Sequence, residues 1–148
     1  MRIAVATPED VPALVELLGV LFAQEADFVP DRARQARGLG MIIADPAIGD
    51  ILVCREDGRI EAMVNLLWTV STAQGARVAI LEDMVVHPRA RDRGLGGVLL
   101  EGAIAHCRAA GCTRITLLTD ADNAGAIRFY SRRGFARSAM IPLRLALG

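Results

Sequence analysis

The chain has 148 residues, 53% of them apolar, and 17 arginines balance 17 acids to a formal charge of zero. That length fits one domain, residues 1–148, with a core of its own, and the charge balance excludes a global electrostatic pull toward nucleic acid or an anionic membrane. Aromatic content of 4%, with no basic stripe, argues against a nucleic-acid surface as well.

Residues 2–6 read as an edge strand. Thr7-Pro8-Glu9-Asp10 starts a helix, with Thr7 as cap, Pro8 at the first position and acids in the first turn. The helix runs to about residue 24, with Val11, Leu14, Val15, Leu18, Leu21 and Phe22 on its apolar face. A second helix over about 31–44 carries Leu39, Ile42 and Ile43 and stops at Asp45-Pro46. The period then changes to two. Residues 50–55 and 60–70 are strands joined by Glu56-Asp57-Gly58-Arg59, where Asp-Gly signals a hairpin. After a loop at Ser71–Gly75 come a strand over 77–86, a helix over 94–110 stopped by Gly111, and a strand over 114–119 parallel to the one before the helix. A right-handed crossover is expected there. Helix 123–133 is capped by Asn123 and closed by Gly134, and residues 135–146 supply the last strand or strands. The whole reads as α/β (α+β), a mixed, mostly antiparallel sheet with about four flanking helices. A lone parallel pair at its centre opens a ligand cleft.

Cysteines 54, 107 and 112 form no metal-ligand spacing. Cys54 lies in an apolar strand and Cys107 on an apolar helix face, as small buried hydrophobes do. Their odd number, with a start that reads as a strand rather than a leader, leads us to expect a reducing cytoplasm. No segment approaches the roughly 18–20 apolar residues of a membrane span. The absence of lysine excludes internal lysine acetylation as self-regulation.

The stretch Leu81–Leu100 carries the most information. It passes from an apolar strand through an arginine-rich loop with glycines into a helix N-terminus. Unpaired N–H groups and the positive end of the helix dipole suit phosphate there, and Arg89, Arg91 and Arg93 add charge and bidentate donors. No Lys-Ser/Thr follows the glycines, as a Walker A loop requires, and the three-glycine dinucleotide fingerprint is missing. What remains is Arg91-x-x-Gly94-x-Gly96.

This resembles the R/Q-x-x-G-x-G/A pyrophosphate signature of the GCN5-related N-acetyltransferases (GNAT). Leu81-Glu82-Asp83-Met84-Val85-Val86 resembles that family's fourth strand, and Asn123 through Phe135 resembles its closing motif, N-x-x-A-x-x-F/Y-Y-x-x-x-G-F. Asp92 departs from the pattern, since many members place glycine there. The resemblance implies a GNAT fold with a parallel pair between the fourth and fifth strands. It also implies acetyl-CoA as co-substrate, no metal, and direct acetyl transfer to a primary amine. Arg91, Asp92, Arg93, Gly94, Leu95 and Gly96 would hold the pyrophosphate, and the backbone of Met84, Val85 and Val86 would pair with the pantetheine arm and polarise the thioester carbonyl. Asn123 and Ala126 would flank the cofactor, Asn123 also serving as a helix cap.

Tyr130 is the candidate acid for the departing thiolate, because it lies seven residues after Asn123 and shares its helix face. Glu82 is the candidate base, directly or through water. If buried in its apolar strand it needs a partner or has a raised pKa. Glu82 and Asp83 point to opposite faces unless a bulge intervenes. His87 reads as a surface loop histidine or a base, His106 as a solvated side chain, and Trp68 as either acceptor pocket or core. Glu25–Asp31 is the candidate acceptor loop, its acids attracting a cation or merely ending helices. Rival readings are a non-catalytic acyl-CoA-binding sensor and acetylation of a protein N-terminus or an antibiotic. The apolar end Ile141–Leu147 is compatible with a homodimer and equally with an internal strand.

Overall fold

The computed structural model describes residues 1–24 and 31–148. Its contacts divide the chain into two compact units, 1–118 and 119–148.

In the first unit β1 (Arg2–Val5) leads into a 3-10 turn at Pro8–Asp10 and then α1 (Val11–Phe22). The Thr7 N–H donates to the Asp10 carboxylate at 2.7 Å, fixing the helix entry. Arg55 hydrogen-bonds the same carboxylate. Helix α2 (Arg32–Ala44) is capped by Asp31, whose carboxylate accepts from the Arg34 N–H at 3.1 Å. Strands β2 (Gly49–Glu56) and β3 (Arg59–Ser71) form the expected hairpin. Asp57 and Gly58 take φ of 51° and 76°, as the tight turn demands. Strand β4 (Ala76–Val86), α3 (Leu95–Ala109) and β5 (Ile115–Leu117) follow. One five-stranded sheet results, in the order β1-β2-β3-β4-β5. All its pairs are antiparallel except β4–β5.

Alternation sorts the sheet into two faces. Ile51, Val53, Met63 and Val85 join Leu14, Leu17, Leu18 and Leu39 in one buried cluster, so α1 and α2 cover that face. Residues between them, Leu52, Cys54, Val64 and Leu66, are buried on the other face, which receives Leu95, Leu99, Leu100 and Cys107 of α3. One glycine is indispensable: a Cβ on Gly49 would lie 2.1 Å from the Leu66 carbonyl oxygen.

In the second unit α4 (Ala124–Ser131) begins at Asn123, whose Oδ1 accepts from the Ala126 N–H at 3.0 Å. Gly134 ends it with φ of 94°.

Two expectations are corrected. Residues 135–148 form no strand. Their apolar alternation is real, but alternation makes a strand only where a second backbone is there to hydrogen-bond. The parallel β4–β5 pair therefore stands at one end of the five-stranded sheet rather than its centre. Strand β5 is also shorter than the 114–119 read from sequence. Among the described residues no helix is long and apolar enough to cross a membrane.

Candidate functional site

Strand β4 outruns its parallel neighbour. It pairs with β5 only at Ala79–Leu81, yet continues to Val86. On its other side it stays bonded to β3, with Met63 opposite Val85 and Ala62 opposite Val86. The His87 N–H donates to the Glu61 carbonyl at 2.7 Å. Counting back by alternation, Val85 also turns its backbone toward β3, while Met84 and Val86 turn theirs toward the side β5 has vacated. An open edge of this kind accepts a peptide-like arm. Val86 offers its carbonyl there, in a long 3.4 Å contact with Arg91 Nε.

A bulge sits where the two strands part. Asn65 opposes Glu82 and Met63 opposes Val85, so two steps along β3 match three along β4. Asp83 takes φ of 52°, the left-handed conformation that accommodates the extra residue. Cross-strand partners share a face, which places Glu82 with Asn65 on the face covered by α1 and α2. Asp83 reaches the same place, because Asn65 Nδ2 donates to its Oδ2 at 2.6 Å. The bulge thus brings the two adjacent acids to one face, which strict alternation forbids. Glu82 is exposed rather than buried.

Beyond β4 the chain makes a 3-10 turn at Pro88–Ala90 and enters the glycine loop. Asp92 and Gly94 both adopt left-handed backbone, with φ of 64° and 76°. This accounts for the departure at 92. The position needs positive φ, which glycine adopts freely and aspartate tolerates better than most residues. Gly94 brings no capping side chain to the N-terminus of α3, so the first-turn N–H groups there remain for a ligand. The Leu95 side chain is buried in the core, and only its backbone is available to this loop.

The three arginines separate in role. Arg89 Nε donates to Glu61 at 2.8 Å and its Nη2 to the Ile60 carbonyl at 3.3 Å. Glu61 is 5% exposed, a buried charge that needs this partner. Arg89 is thus a structural cation, contrary to its expected phosphate role. Arg93 grips both oxygens of Glu56 at 2.5 and 2.6 Å, and that hydrogen bond holds the Glu56 carboxyl below the usual range. Arg91 is exposed, with its guanidinium at the β4 end.

In the second unit, Tyr130 is half-buried on α4, packed edge-on against Phe129 and Phe135 with ring centroids 5.1 and 5.6 Å away. Burial pushes its phenol pKa up. Asn123 serves as the helix cap, and Ala126 supplies the capped N–H.

His106 is not the solvated side chain expected. Its Nε2 lies 2.7 Å from Asp50 and its ring stacks on Trp68 at 6.2 Å. Arg77 covers Trp68 at 5.6 Å, so Trp68 is engaged with α3 and β4. His87 lies between Glu16 (3.4 Å) and Arg89 (3.1 Å). These side chains border a cavity of about 360 Å³, in which Asp10 pairs with Arg55. The acceptor loop proposed at Glu25–Asp31 lies outside the described residues except for Asp31. Sequence reading missed the Asn65–Asp83 pair. Its signal was one amide in the apolar run Ala62–Trp68.

Several known proteins resemble the chain as a whole or in part. Residues 14–135 match the acetyltransferase (GNAT) family. The uncharacterised N-acetyltransferase YhfO of Bacillus subtilis is 34% identical over 85 residues, 57% of each chain. The aminoalkylphosphonate N-acetyltransferase of Salmonella typhimurium is 28% identical over 133 residues, 90% of this chain and 83% of that one. The integron cassette protein HFX_CASS3 from the mobile metagenome of Cole Harbour Salt Marsh superposes with a TM-score of 0.86 at 27% identity, covering 99% of this chain and 91% of its own. Some matches span less of the relative, the chain covering about half of YhfO's length. The chain belongs to the acetyltransferase (GNAT) family.

Proposed function

We propose that residues 1–148 act as one domain that transfers an acetyl group from acetyl-CoA directly to a primary amine of a small molecule. The observation that carries this reading is the open edge of β4, followed after one 3-10 turn by a left-handed glycine loop and a helix N-terminus. A pantetheine arm suits the first part and a pyrophosphate the second.

In this reading Met84 and Val86 offer backbone groups to the arm. Arg91, Arg93 and the N–H groups of Gly94, Leu95 and Gly96 meet the pyrophosphate, with Asp92 shaping the turn. Asn123 and Ala126 border the cofactor. Glu82, or a water it orients, takes the ammonium proton. The amine nitrogen then bonds to the thioester carbon while a β4 N–H stabilises the carbonyl oxygen. The carbon–sulfur bond breaks, the nitrogen gives its second proton to solvent, and the thiolate takes the Tyr130 phenolic proton, which solvent replaces. A phenol raised by burial retains that proton at neutral pH.

Calorimetric titration with acetyl-CoA, beside 3′-dephospho-CoA and ATP, tests the reading. Micromolar saturable binding that prefers acetyl-CoA is expected, followed by turnover in a panel of n-butylamine, spermidine, glucosamine 6-phosphate and 2-aminoethylphosphonate. Absence of acetyl-CoA binding overturns it.

The same chain is proposed to pair with a second copy through its C-terminal arm. Ile141, Leu143, Leu145 and Leu147 alternate in sequence and are 77–94% exposed, an apolar strip that water disfavours. Deleting residues 140–148 should convert a dimer to a monomer in size-exclusion light scattering. An unchanged mass removes the arm from the interface.

A further inference from the structure

Asn65 is 3% exposed in the middle of β3. Its Nδ2 serves Asp83, but its Oδ1 is buried with no hydrogen-bond partner among the described residues. An unmet buried acceptor is destabilising, and a leucine at 65 would avoid it. Asp83 holds a left-handed φ of 52° that glycine would take with less strain. Each residue is therefore the poorer choice for the fold alone. They touch one another where β4 leaves β5, and such local concessions gather where chemistry requires particular groups.

We propose that Asp83 is the carboxylate that receives the ammonium of the acceptor amine, and that Asn65 is the positioning residue that holds it there. The proposal rests on the acetyltransfer reading and names the acceptor class, a protonated primary alkylamine rather than a neutral nucleophile. A carboxylate accepts ammonium N–H groups through strong charge-assisted bonds. The bond from Asn65 Nδ2 fixes the direction of this carboxylate. Half-burial of Asp83 strengthens the attraction over that in open water. Glu82 stands on the same face opposite Asn65. One acid then docks the cation while the other removes its proton, so docking does not consume the base.

The test follows the Asn65 side-chain amide signals of ¹⁵N-labelled protein, identified by their loss in Asn65→Leu. n-Butylammonium chloride is titrated in, with tetramethylammonium, which has charge but no N–H donor, as control. A saturable shift is expected with n-butylammonium, at least fivefold weaker with tetramethylammonium, and absent in Asp83→Asn and Asp83→Gly. Both variants tolerate positive φ, so at least one retains the bulge. In turnover, Asp83→Asn should raise KM for the panel amine at least tenfold and leave acetyl-CoA affinity within twofold. Asn65→Leu should raise the same KM without lowering Tm, whereas a merely structural Asn65 would lower Tm and leave KM alone. No saturable shift in the wild type, the same shift in Asp83→Gly, or an unchanged amine KM overturns the proposal. If the wild type binds no acetyl-CoA, the acetyltransfer reading falls, and the ammonium titration still decides on Asp83.

Discussion

Gly94→Ala separates the backbone of the glycine loop from its surroundings. Gly94 sits at φ of 76°, and a Cβ built there meets nothing within 4 Å. The substitution therefore introduces backbone strain but no crowding inside the protein. Holding an L residue in the left-handed region costs about 1–2 kcal/mol. For a chain of this size each kcal/mol lowers Tm by roughly 2–4 °C, so a fall of roughly 2–8 °C is expected in a thermal scan. Acetyl-CoA affinity should fall further than strain in the unliganded protein explains. The empty space beside Gly94 is the space that a phosphate pressed against the backbone would fill. A tenfold loss by calorimetry, about 1.4 kcal/mol, is the expected scale. A lowered Tm with full acetyl-CoA affinity would show that no ligand occupies that space and would refute the cradle. If neither quantity changes, position 94 does not hold the left-handed turn.

Tyr130→Phe should lower kcat by tenfold or more while leaving acetyl-CoA affinity within twofold by titration; an unchanged kcat removes the phenol from the mechanism. Asp10 titrates below its ordinary value, because burial, which raises its pKa, is outweighed by the bonds from Arg55 and the Thr7 N–H. A depressed folded-state pKa gives stability that is present above the unfolded value of about 3.8 and lost as pH falls through the folded one. Asp10→Asn should therefore flatten the loss of stability below about pH 4 in acid denaturation, and an acid limb identical to wild type would contradict this. Burial pushes the Cys107 thiol up to about 12, so iodoacetamide at pH 8 should leave it unmodified in the native protein and label it after unfolding. Gly49→Ala should abolish soluble expression, since its methyl would stand 2.1 Å from the Leu66 carbonyl oxygen.

What the sequence discloses here depends on whether a feature is local. The Thr7-Pro8 helix start, the Asp57-Gly58 turn, and the periods of α1 and α3 are set by residues within a few positions, and the structure contains each of them. The turn of the glycine loop is of the same kind, because positive φ at Gly94 is a property of that residue. The β4 bulge is not. Alternation placed Glu82 and Asp83 on opposite faces. One extra residue reverses that conclusion, and only the register against Met63 and Asn65 reveals it. Arg89 shows the same limit. Three arginines in a loop look equivalent until Glu61, 28 positions away, is found buried and in need of a cation. The C-terminal arm takes the limit furthest. Its period of two belongs to the chain, but a strand also needs a second backbone, and alternation does not say whose backbone that is. Leu143, Leu145 and Leu147 are more than 80% exposed, so the partner of that strand is a question that the alternation leaves to long-range contacts.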